Sequence, residues 1–511
     1  ADPGWSLWMG PVANFPRPYP IEVMTGVVDP AIYRGLLFIN FRITRTDEPV
    51  VIYADRPIVQ VVPVRTADIG DDVARDFVAR GWKVALVEGA HLGGTCVNTG
   101  CSPTKTVVAS ARVAYMARRA SDFGVHTGEI RVDFAKVMAR QQAIVQQFRG
   151  GLEENLTSLD NLTIYRHFGV FESSKRVRVG DDVIESDRIY INTGARAFVP
   201  PIVGLDTVDY LDNVSILQLT ALPKHLVIIG GGYIGLEYAQ AFRRLGSEVT
   251  VIELGDQIMG REDADIVQEA LRILTDEGLD IRLKTKTTRV EATPNGVRLF
   301  IETDGVASQV EGSHLLVAIG RKPNSDKLGL DKAGVETDKR GYIVVDDHLQ
   351  TNVDGIWAVG DVNGRGAFTH TSWNDHEIIV DQLNGGQRKV SDRISVYGVY
   401  IDPPLGRVGM SEQEVRESGR KALIGIKPMS HIARALERDE TYGLMKVLID
   451  AETGLFLGAA IFGIGGDEIV HSIVDLMYAK APYTVMKNAV HVHPTVSELI
   501  PTLLGELEPL K

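Results

Sequence analysis

The chain has 511 residues, of which 44% are hydrophobic and 24% are charged, proportions typical of a globular protein of about two to four domains. Its net charge is −13 and it has no basic block, so nucleic acid is not expected as a partner. No apolar run reaches the ~18–20 residues that span a bilayer, so we expect no membrane association.

The first segment, residues 1–57, is rich in proline and aromatic residues and contains no cysteine. Alternation of apolar and polar residues predicts strands over 35–45 and 49–53. We expect no signal peptide, because no charged start is followed by an apolar stretch. Ala1 is not an initiator methionine, so we expect a start that is processed, engineered or incomplete. The sequence assigns this segment no function.

An internal repeat relates residues 61–88 to residues 226–253. Gly70 matches Gly235, and Glu88 matches Glu253. Each copy is typical of a strand, a turn, a helix, a second strand and an acidic residue, which is the βαβ unit of a dinucleotide-binding fold. Two copies predict two nucleotide sites.

The second copy carries the complete G-x-G-x-x-G pattern after a predicted strand. Gly230 permits the tight turn, Gly232 lets the backbone approach a pyrophosphate, and Gly235 lets helix and strand pack closely. Glu253 is then placed to accept hydrogen bonds from a ribose 2′-hydroxyl. Because a carboxylate there repels a 2′-phosphate, the sequence favours NADH over NADPH.

The first copy departs from this pattern, since Arg65 and Ala67 stand where glycines are expected and only Gly70 remains. The predicted helix start also carries three carboxylates, Asp68, Asp71 and Asp72. These would compete with a phosphate at the helix N-terminus. Two interpretations stay open, a degenerate site or a junction with foreign sequence near residue 65.

Both cysteines of the chain, Cys96 and Cys101, lie in the stretch 93–106. Ser102 followed by Pro103 predicts a helix N-cap and first helical residue, with the helix continuing through 107–120. Cys101 would then sit just outside a helix N-terminus, where the helix dipole favours a thiolate. We interpret the two thiols as a redox pair rather than as unrelated buried cysteines. This usage indicates a reducing compartment and a cytoplasmic location.

The stretch reads Gly-Gly-Thr-Cys-Val-Asn-Thr-Gly-Cys-Ser-Pro-Thr-Lys-Thr and resembles the redox-active segment of the pyridine nucleotide-disulfide oxidoreductases. That family includes dihydrolipoamide dehydrogenase, glutathione reductase and mercuric reductase. The resemblance covers about 58–511 and implies an α/β fold with two Rossmann-like dinucleotide-binding domains and a C-terminal α/β dimerisation domain. The implied domains are FAD-binding over 58–200 and 326–383, NAD(P)-binding over 201–325, and dimerisation over 384–511.

The resemblance also implies which residues hold the two cofactors. The FAD residues would be Gly70, Glu88, Gly94, Thr95, Thr193, Gly194 and Asp361. The NAD residues would be Gly230, Gly232, Gly235, Glu253, Tyr233 and Gly320. Of these, Tyr233 would cover the nicotinamide pocket. Two alternatives stay open: Asp361 as a helix N-cap, and Tyr233 as an ordinary packing residue.

The catalytic groups follow from the same resemblance. Cys101 would be the thiol next to the flavin and Cys96 the thiol that meets substrate. His493 would be the base and Glu498 its orienting carboxylate, both supplied by the other subunit of a homodimer. An ion pair between Lys105 and Glu237 would lie beside the flavin. The alternatives are His491 as the working histidine, His493 as a surface residue, and Lys105 and Glu237 as solvated charges.

The substrate is less sharply indicated. We interpret the chain as a mercuric-reductase-like NAD(P)H oxidoreductase that reduces a small-molecule disulfide or a soft metal ion and holds no metal ion of its own. Dihydrolipoamide dehydrogenase is the runner-up, because its catalytic segment resembles residues 491–498. If the loop around residue 65 cannot hold FAD, the chain is instead a catalytically dead nucleotide-binding scaffold.

Overall fold

A computed structural model of the chain describes residues 21–22, 42–43 and 69–511. The chain divides into two compact units, Ala1–Thr66 and Ala67–Lys511. In the first unit, β1 (Ile21–Glu22) pairs antiparallel with β2 (Arg42–Ile43), which lies inside the strand predicted over 35–45. The strand predicted over 49–53 and the loop of Arg65 and Ala67 lie outside the described residues.

Helices and strands alternate along the second unit. The helices are α1 (Ile69–Ala79), α2 (Gly94–Thr99), α3 (Cys101–Arg118), α4 (Phe134–Thr157), α5 (Tyr233–Leu245), α6 (Ala264–Asp276), α7 (Leu330–Ala333), α8 (Thr369–Leu383), α9 (Glu412–Glu417), α10 (Ala433–Glu437), α11 (Gly466–Ile469), α12 (His471–Tyr478), α13 (Tyr483–Lys487) and α14 (Ile500–Leu503). Within residues 69–511, no helix is long and apolar enough to cross a membrane.

The strands of this unit follow the same order. They are β3 (Val84–Val87), β4 (Leu162–Tyr165), β5 (Gly169–Ser173), β6 (Arg176–Val179), β7 (Asp182–Glu185), β8 (Ile189–Ile191), β9 (Ala195–Ala197), β10 (Tyr210–Leu211), β11 (His225–Ile229), β12 (Glu248–Ile252), β13 (Asp280–Arg282), β14 (Thr285–Thr293), β15 (Gly296–Thr303), β16 (Val306–Gly312), β17 (His314–Val317), β18 (Arg321–Pro323), β19 (Ile356–Ala358), β20 (Val396–Val399), β21 (Leu405–Gly409), β22 (Ala422–Pro428), β23 (Leu444–Asp450), β24 (Phe456–Phe462) and β25 (Glu508–Pro509).

A five-stranded parallel sheet in the order β10-β17-β11-β12-β13 holds the second repeat. The last four residues of β11 are buried, as expected for a strand covered on both faces of a parallel sheet. Helix α5 leaves the end of β11 and the chain returns in β12, with Leu226 opposite Val249. This is the βαβ unit that the sequence predicts over 226–253.

The part of the unit that carries the first repeat contains two parallel strand pairs, β3 with β4 and β8 with β19. Ile189 pairs with Ile356, so the residues after β8 and after β19 emerge at the same edge. An antiparallel pair, β9 with β18, then joins this part to the segment that leaves the five-stranded sheet. The core of the part that carries the first repeat is a buried cluster that includes Phe77, Ile191 and Val362.

The C-terminal part is a six-stranded antiparallel sheet in the order β20-β21-β24-β23-β22-β25. All seven residues of β24 are buried. Val399, Leu405 and Phe462 belong to the same buried cluster as the core face of α5. The sheet therefore packs against the helix that follows the glycine turn, and this packing places the segment after β20 beside the site described next.

Candidate active site

The two cysteines lie on either side of a break between two helices. Cys96 is in α2, and Cys101 is the first residue of α3. Gly100 separates the helices with φ −132° and ψ −113°, and a Cβ there would lie 2.8 Å from the carbonyl oxygen of Thr95. The prediction that Ser102 caps the helix is wrong, because Gly100 breaks α2 and lets α3 begin at Cys101. Pro103 is tolerated within the first turn, where amides have no acceptor inside the helix.

Neither thiol is part of a disulfide in this structure, and the surroundings of Cys101 stabilise its thiolate. The Sγ of Cys101 lies 3.4 Å from Oγ1 of Thr369, the first residue of α8. The hydrogen bond with Cys96 lowers the pKa of Cys101 to about 6, helped by Thr369 and the charge of Lys105 and opposed by burial and Glu237. A thiol with this pKa is largely ionised at neutral pH, which is the reactive form of cysteine.

Lys105 and Glu237 form an ion pair that links α3 to α5. The Nζ of Lys105 lies 2.7 Å from Oε2 of Glu237, whose side chain is 2% exposed. The other carboxylate oxygen accepts a hydrogen bond of 2.9 Å from the amide of Tyr400. One residue earlier on α3, Oγ1 of Thr104 lies 2.9 Å from the hydroxyl of Tyr238. These contacts exclude the interpretation of Lys105 and Glu237 as solvated charges.

The glycine turn after β11 has the geometry of a pyrophosphate site. Gly230 has φ +112°, and a Cβ on it would lie 2.5 Å from the carbonyl oxygen of Ala318. A Cβ on Gly235 would lie 2.2 Å from the carbonyl oxygen of Gly230, so helix and strand touch there. At Gly232, a Cβ would meet no described heavy atom within 4 Å, and this residue caps α5 without a side-chain hydrogen bond. The backbone at the start of α5 is therefore open to an anionic group.

Glu253 follows β12 and lies against this turn. Its carboxylate accepts hydrogen bonds of 2.6 Å from the amides of Gly231 and Gly255, so its position is fixed beside the turn. Gly320, between β17 and β18, has φ +142°. Tyr233 is the first residue of α5; its ring lies 5.9 Å from that of Phe368, and burial raises its pKa to about 12.

The residues that the sequence predicts to bind FAD lie in several parts of the second unit. Thr193 and Gly194 follow β8, where Oγ1 of Thr193 donates 2.9 Å to the carbonyl of Asn324. Asp361 follows the neighbouring β19 and pairs with Arg321 at 3.4 Å, while burial raises the pKa of its carboxyl. Asp361 does not cap α8, whose N-cap is Phe368, so that alternative is wrong.

The remaining residues predicted to bind FAD lie near the start of the second unit. Glu88 follows β3 and accepts a hydrogen bond of 2.7 Å from the amide of Ala90. Gly94 and Thr95 are the first residues of α2. Gly70 lies in α1, and the loop before it is outside the described residues.

His493 and Glu498 form an exposed pair near the C-terminus. The Nδ1 of His493 lies 3.0 Å from both carboxylate oxygens of Glu498. The His493 side chain is 75% exposed and that of Glu498 is 14% exposed. The carboxylate fixes the ring orientation and leaves Nε2 directed away from it. His491 contacts instead the carbonyl of Ala489 at 3.2 Å, so the carboxylate orients His493.

The structure adds residues that the sequence did not assign to the site. Thr369 contacts Cys101, and the Tyr400 ring lies over Lys105 with 4.6 Å from Nζ to the ring centroid. Phe368 stacks on Tyr397 at 5.5 Å. A signal existed for Phe368 and Thr369, which follow closely on the motif of Asp361, but Tyr400 lies in no motif. In the part of the chain with described side chains, no group of three or more metal-binding residues occurs.

A βαβ unit with an open glycine turn, a thiol pair and an antiparallel C-terminal sheet are features expected of a nucleotide-dependent thiol oxidoreductase. The family model for pyridine nucleotide-disulphide oxidoreductases matches residues 70–375, and the model for the dimerisation domain of the same family matches 396–504. The chain belongs to this family of enzymes, whose members use FAD and NAD(P)H. The predicted fold class, two Rossmann-like domains and a dimerisation domain, is confirmed.

Individual relatives agree with this assignment. The probable pyridine nucleotide-disulfide oxidoreductase RclA of Escherichia coli is 36% identical over 87% of this chain and 98% of its own. Mercuric reductase of Bacillus cereus is 32% identical over 81% of this chain and 67% of its own. Dihydrolipoyl dehydrogenase of Cupriavidus necator is 33% identical over 80% and 88%.

A solved structure is also similar to this chain. The Cu(II) complex of the HOCl-induced flavoprotein disulfide reductase RclA from Escherichia coli matches with a TM-score of 0.79 and 35% identity. The match covers 86% of this chain and 98% of that one.

Proposed function

We propose that this protein is an FAD-dependent NAD(P)H oxidoreductase with a redox-active Cys96–Cys101 disulfide that reduces a small-molecule disulfide or a soft metal ion, as mercuric reductase does. The observation that carries the proposal is the Cys101 thiol, which begins α3, has a pKa of about 6 and lies beside the Lys105–Glu237 pair. A thiolate at neutral pH is both the nucleophile of disulfide exchange and a ligand for soft metals.

Cys96, Cys101 and His493 have different roles in the proposed reaction. When bound, NAD(P)H would supply two electrons and FAD would pass them on to open the protein disulfide. The thiolate of Cys96 attacks one sulfur of a substrate disulfide, and the departing thiolate takes a proton from His493. The thiolate of Cys101 then attacks Cys96, re-forms the protein disulfide and releases the second thiol. With a soft metal ion, the two thiolates act as the ligands.

The cofactor residues fit this proposal. The open backbone at Gly232 suits a pyrophosphate, and Glu253 beside it favours NADH. Thr193 and Asp361 emerge at one sheet edge, as residues that hold the sugar part of FAD would. We also propose a homodimer, because His493 is exposed in its own chain, and a cytoplasmic location, because two cysteines with redox spacing do not make a disulfide framework.

A second candidate, dihydrolipoamide dehydrogenase, is favoured by the His493–Glu498 pair. NADH oxidation by the purified protein with lipoamide, Hg(II) and Cu(II) separates the two. We include copper because the similar RclA structure is a Cu(II) complex. We expect faster turnover with a metal ion. A kcat/KM for lipoamide more than tenfold above both metals, ~1.4 kcal/mol, would select the second candidate.

The visible spectrum of the pure protein tests the loop around Arg65. We expect a yellow protein that loses FAD on dialysis, because Ala67 and the nearby carboxylates oppose a pyrophosphate. Arg65→Gly with Ala67→Gly should then tighten FAD. A colourless protein that these glycines do not rescue would favour the dead scaffold, and full FAD that dialysis cannot remove would show that the loop binds normally.

A further inference from the structure

The ion pair beside the thiols has a third member that comes from the C-terminal sheet. Glu237 uses both of its carboxylate oxygens, one for Lys105 and one for the amide of Tyr400. A carboxylate that is held at both oxygens and is 2% exposed has a fixed position. Lys105 is less constrained, because its side chain is 31% exposed and this carboxylate holds it from one side only.

The Tyr400 ring restricts Lys105 from another side. Nζ of Lys105 lies 4.6 Å from the ring centroid, within the range of a cation–π contact. The ammonium is therefore held between the carboxylate of Glu237 and the face of an aromatic ring. Because lysine has a flexible stem with many rotamers, a second contact limits how far its charge moves from the thiolate.

The segment that carries Tyr400 is itself fixed. The amide of Asp402 donates 2.7 Å to Oε1 of Gln240, and Nε2 of Gln240 donates 2.8 Å back to the Asp402 carbonyl. The Asp402 carboxylate pairs with Arg112 on α3 and Arg244 on α5. Residues 400–402 are thus tied to both helices that meet at the ion pair, so the ring stands on a rigid support.

We propose that Tyr400 is a positioning residue of the redox centre, and that its ring face holds the Lys105 ammonium where it stabilises the Cys101 thiolate. The inference rests on the function proposed above and deepens it. The phenol hydroxyl is not required, because the ring face carries the contact, and the amide bond to Glu237 survives any change of side chain. The charged and titratable groups that face Cys101 are Cys96 from α2, Lys105 from α3, Glu237 and Tyr233 from α5, and Tyr400. The neutral hydroxyl of Thr369 from α8 also contacts its thiol.

The test measures the pH at which Cys101 reacts. With Cys96→Ser in every protein, Cys101 is the single remaining thiol, and its alkylation by iodoacetamide is followed by mass spectrometry across pH. Tyr400→Leu and Tyr400→Met should move the midpoint up by about 0.5 pH unit, because the lysine charge is less well held. Tyr400→Phe should keep the midpoint of its parent.

Two controls test whether Tyr400 changes the alkylation midpoint of Cys101 by holding Lys105. In a Lys105→Met background, Tyr400→Leu should add no further shift. Tyr442→Leu is a matched variant, since this tyrosine also covers a cation, Arg272 at 4.5 Å, but away from the thiols; it should leave the midpoint unchanged. A Tyr400→Leu shift that persists without Lys105, or a Tyr400→Phe shift as large as that of Tyr400→Leu, overturns the proposal.

Alkylation needs no substrate and no turnover. If the proposed function is wrong, the enzyme will not reduce disulfides or metal ions, but the alkylation midpoints will still be as expected. Failure of the present inference would appear as unchanged midpoints in an enzyme that turns over. Tyr400→Met provides the same comparison if Tyr400→Leu does not fold.

Discussion

The thiol centre and the His493–Glu498 pair are held in different ways. Cys101 is contacted by residues from α2 and α8, and Lys105 beside it pairs with Glu237, which is 2% exposed. His493 is 75% exposed and its ring nitrogen bonds to a carboxylate five residues away. The thiol centre is contacted by several helices of its own chain, whereas His493 is oriented locally and directed outward.

This difference shows which part of the site one chain assembles alone. A general acid–base group works only when it lies within hydrogen-bond reach of the group with which it exchanges a proton. An exposed, carboxylate-oriented imidazole meets that condition when another surface covers it. The match of residues 396–504 to the family's dimerisation domain is consistent with a second copy of the chain as that surface.

The largest expected effect is at the thiol centre. Cys96→Ser and Cys101→Ser should each abolish NADH-dependent reduction of disulfide or metal, because either change removes a sulfur of the exchanging pair. Steady-state turnover checks this, with Ser110→Ala on the same helix α3 as a control that should stay active. Full turnover in either cysteine variant would remove the disulfide from the mechanism. Cys96→Ser should keep a long-wavelength thiolate–flavin absorbance band.

The exposed pair should give the next largest effect. His493→Gln should slow turnover by roughly 10²–10⁴, the usual contribution of a positioned acid–base group. His491→Gln is the matched control and should remain active, since its ring contacts a backbone carbonyl instead of Glu498.

Hybrid dimers test directly where His493 acts. When Cys96→Ser and His493→Gln chains are co-expressed and the hybrid is purified, a shared site leaves one of two active sites intact, so about half of the wild-type rate should return. A site built within one chain leaves both damaged. An inactive hybrid, or an active monomer at assay concentration, would contradict the placement of His493 across a dimer.

Stability should separate the two regions in the same order as activity. Lys105→Met leaves the Glu237 carboxylate buried without its cation and should lower the free energy of unfolding by about 2 kcal/mol, discounted for the partial exposure of lysine. Glu498→Gln should change it by less than about 0.5 kcal/mol, because an exposed pair contributes little. Urea unfolding monitored by circular dichroism measures both. Equal losses would mean that the His–Glu pair is also structural.

The smallest effect concerns the glycine turn before α5. Glu253→Ser with Leu254→Arg should move the preference toward NADPH by about tenfold, ~1.4 kcal/mol in kcat/KM. Leu254 is 69% exposed and accepts a longer side chain. Asp256→Ser is the control. A wild-type enzyme that already favours NADPH by tenfold would show that Glu253 does not select the cofactor.

The sequence alone determined the features that lie within short stretches. The glycine turn before α5, the thiol pair and the histidine with its carboxylate five residues away are each set by spacing, because helix geometry and tight turns fix distances between near neighbours. The sequence placed the start of α3 two residues late, at Pro103 instead of Cys101, because the backbone break at Gly100 outweighs the capping preference of Ser102.

Tertiary structure decided which of these stretches meet. Lys105 and Glu237 are 132 positions apart, and Glu237 and Tyr400 are 163 apart. The periodicity of each helix shows which face is apolar but not which partner that face will bury. The packing of the C-terminal sheet on α5 brings Tyr400 to the lysine, and the start of α8 brings Thr369 to the thiol. Contacts at such separations depend on how whole layers pack, which no local pattern specifies.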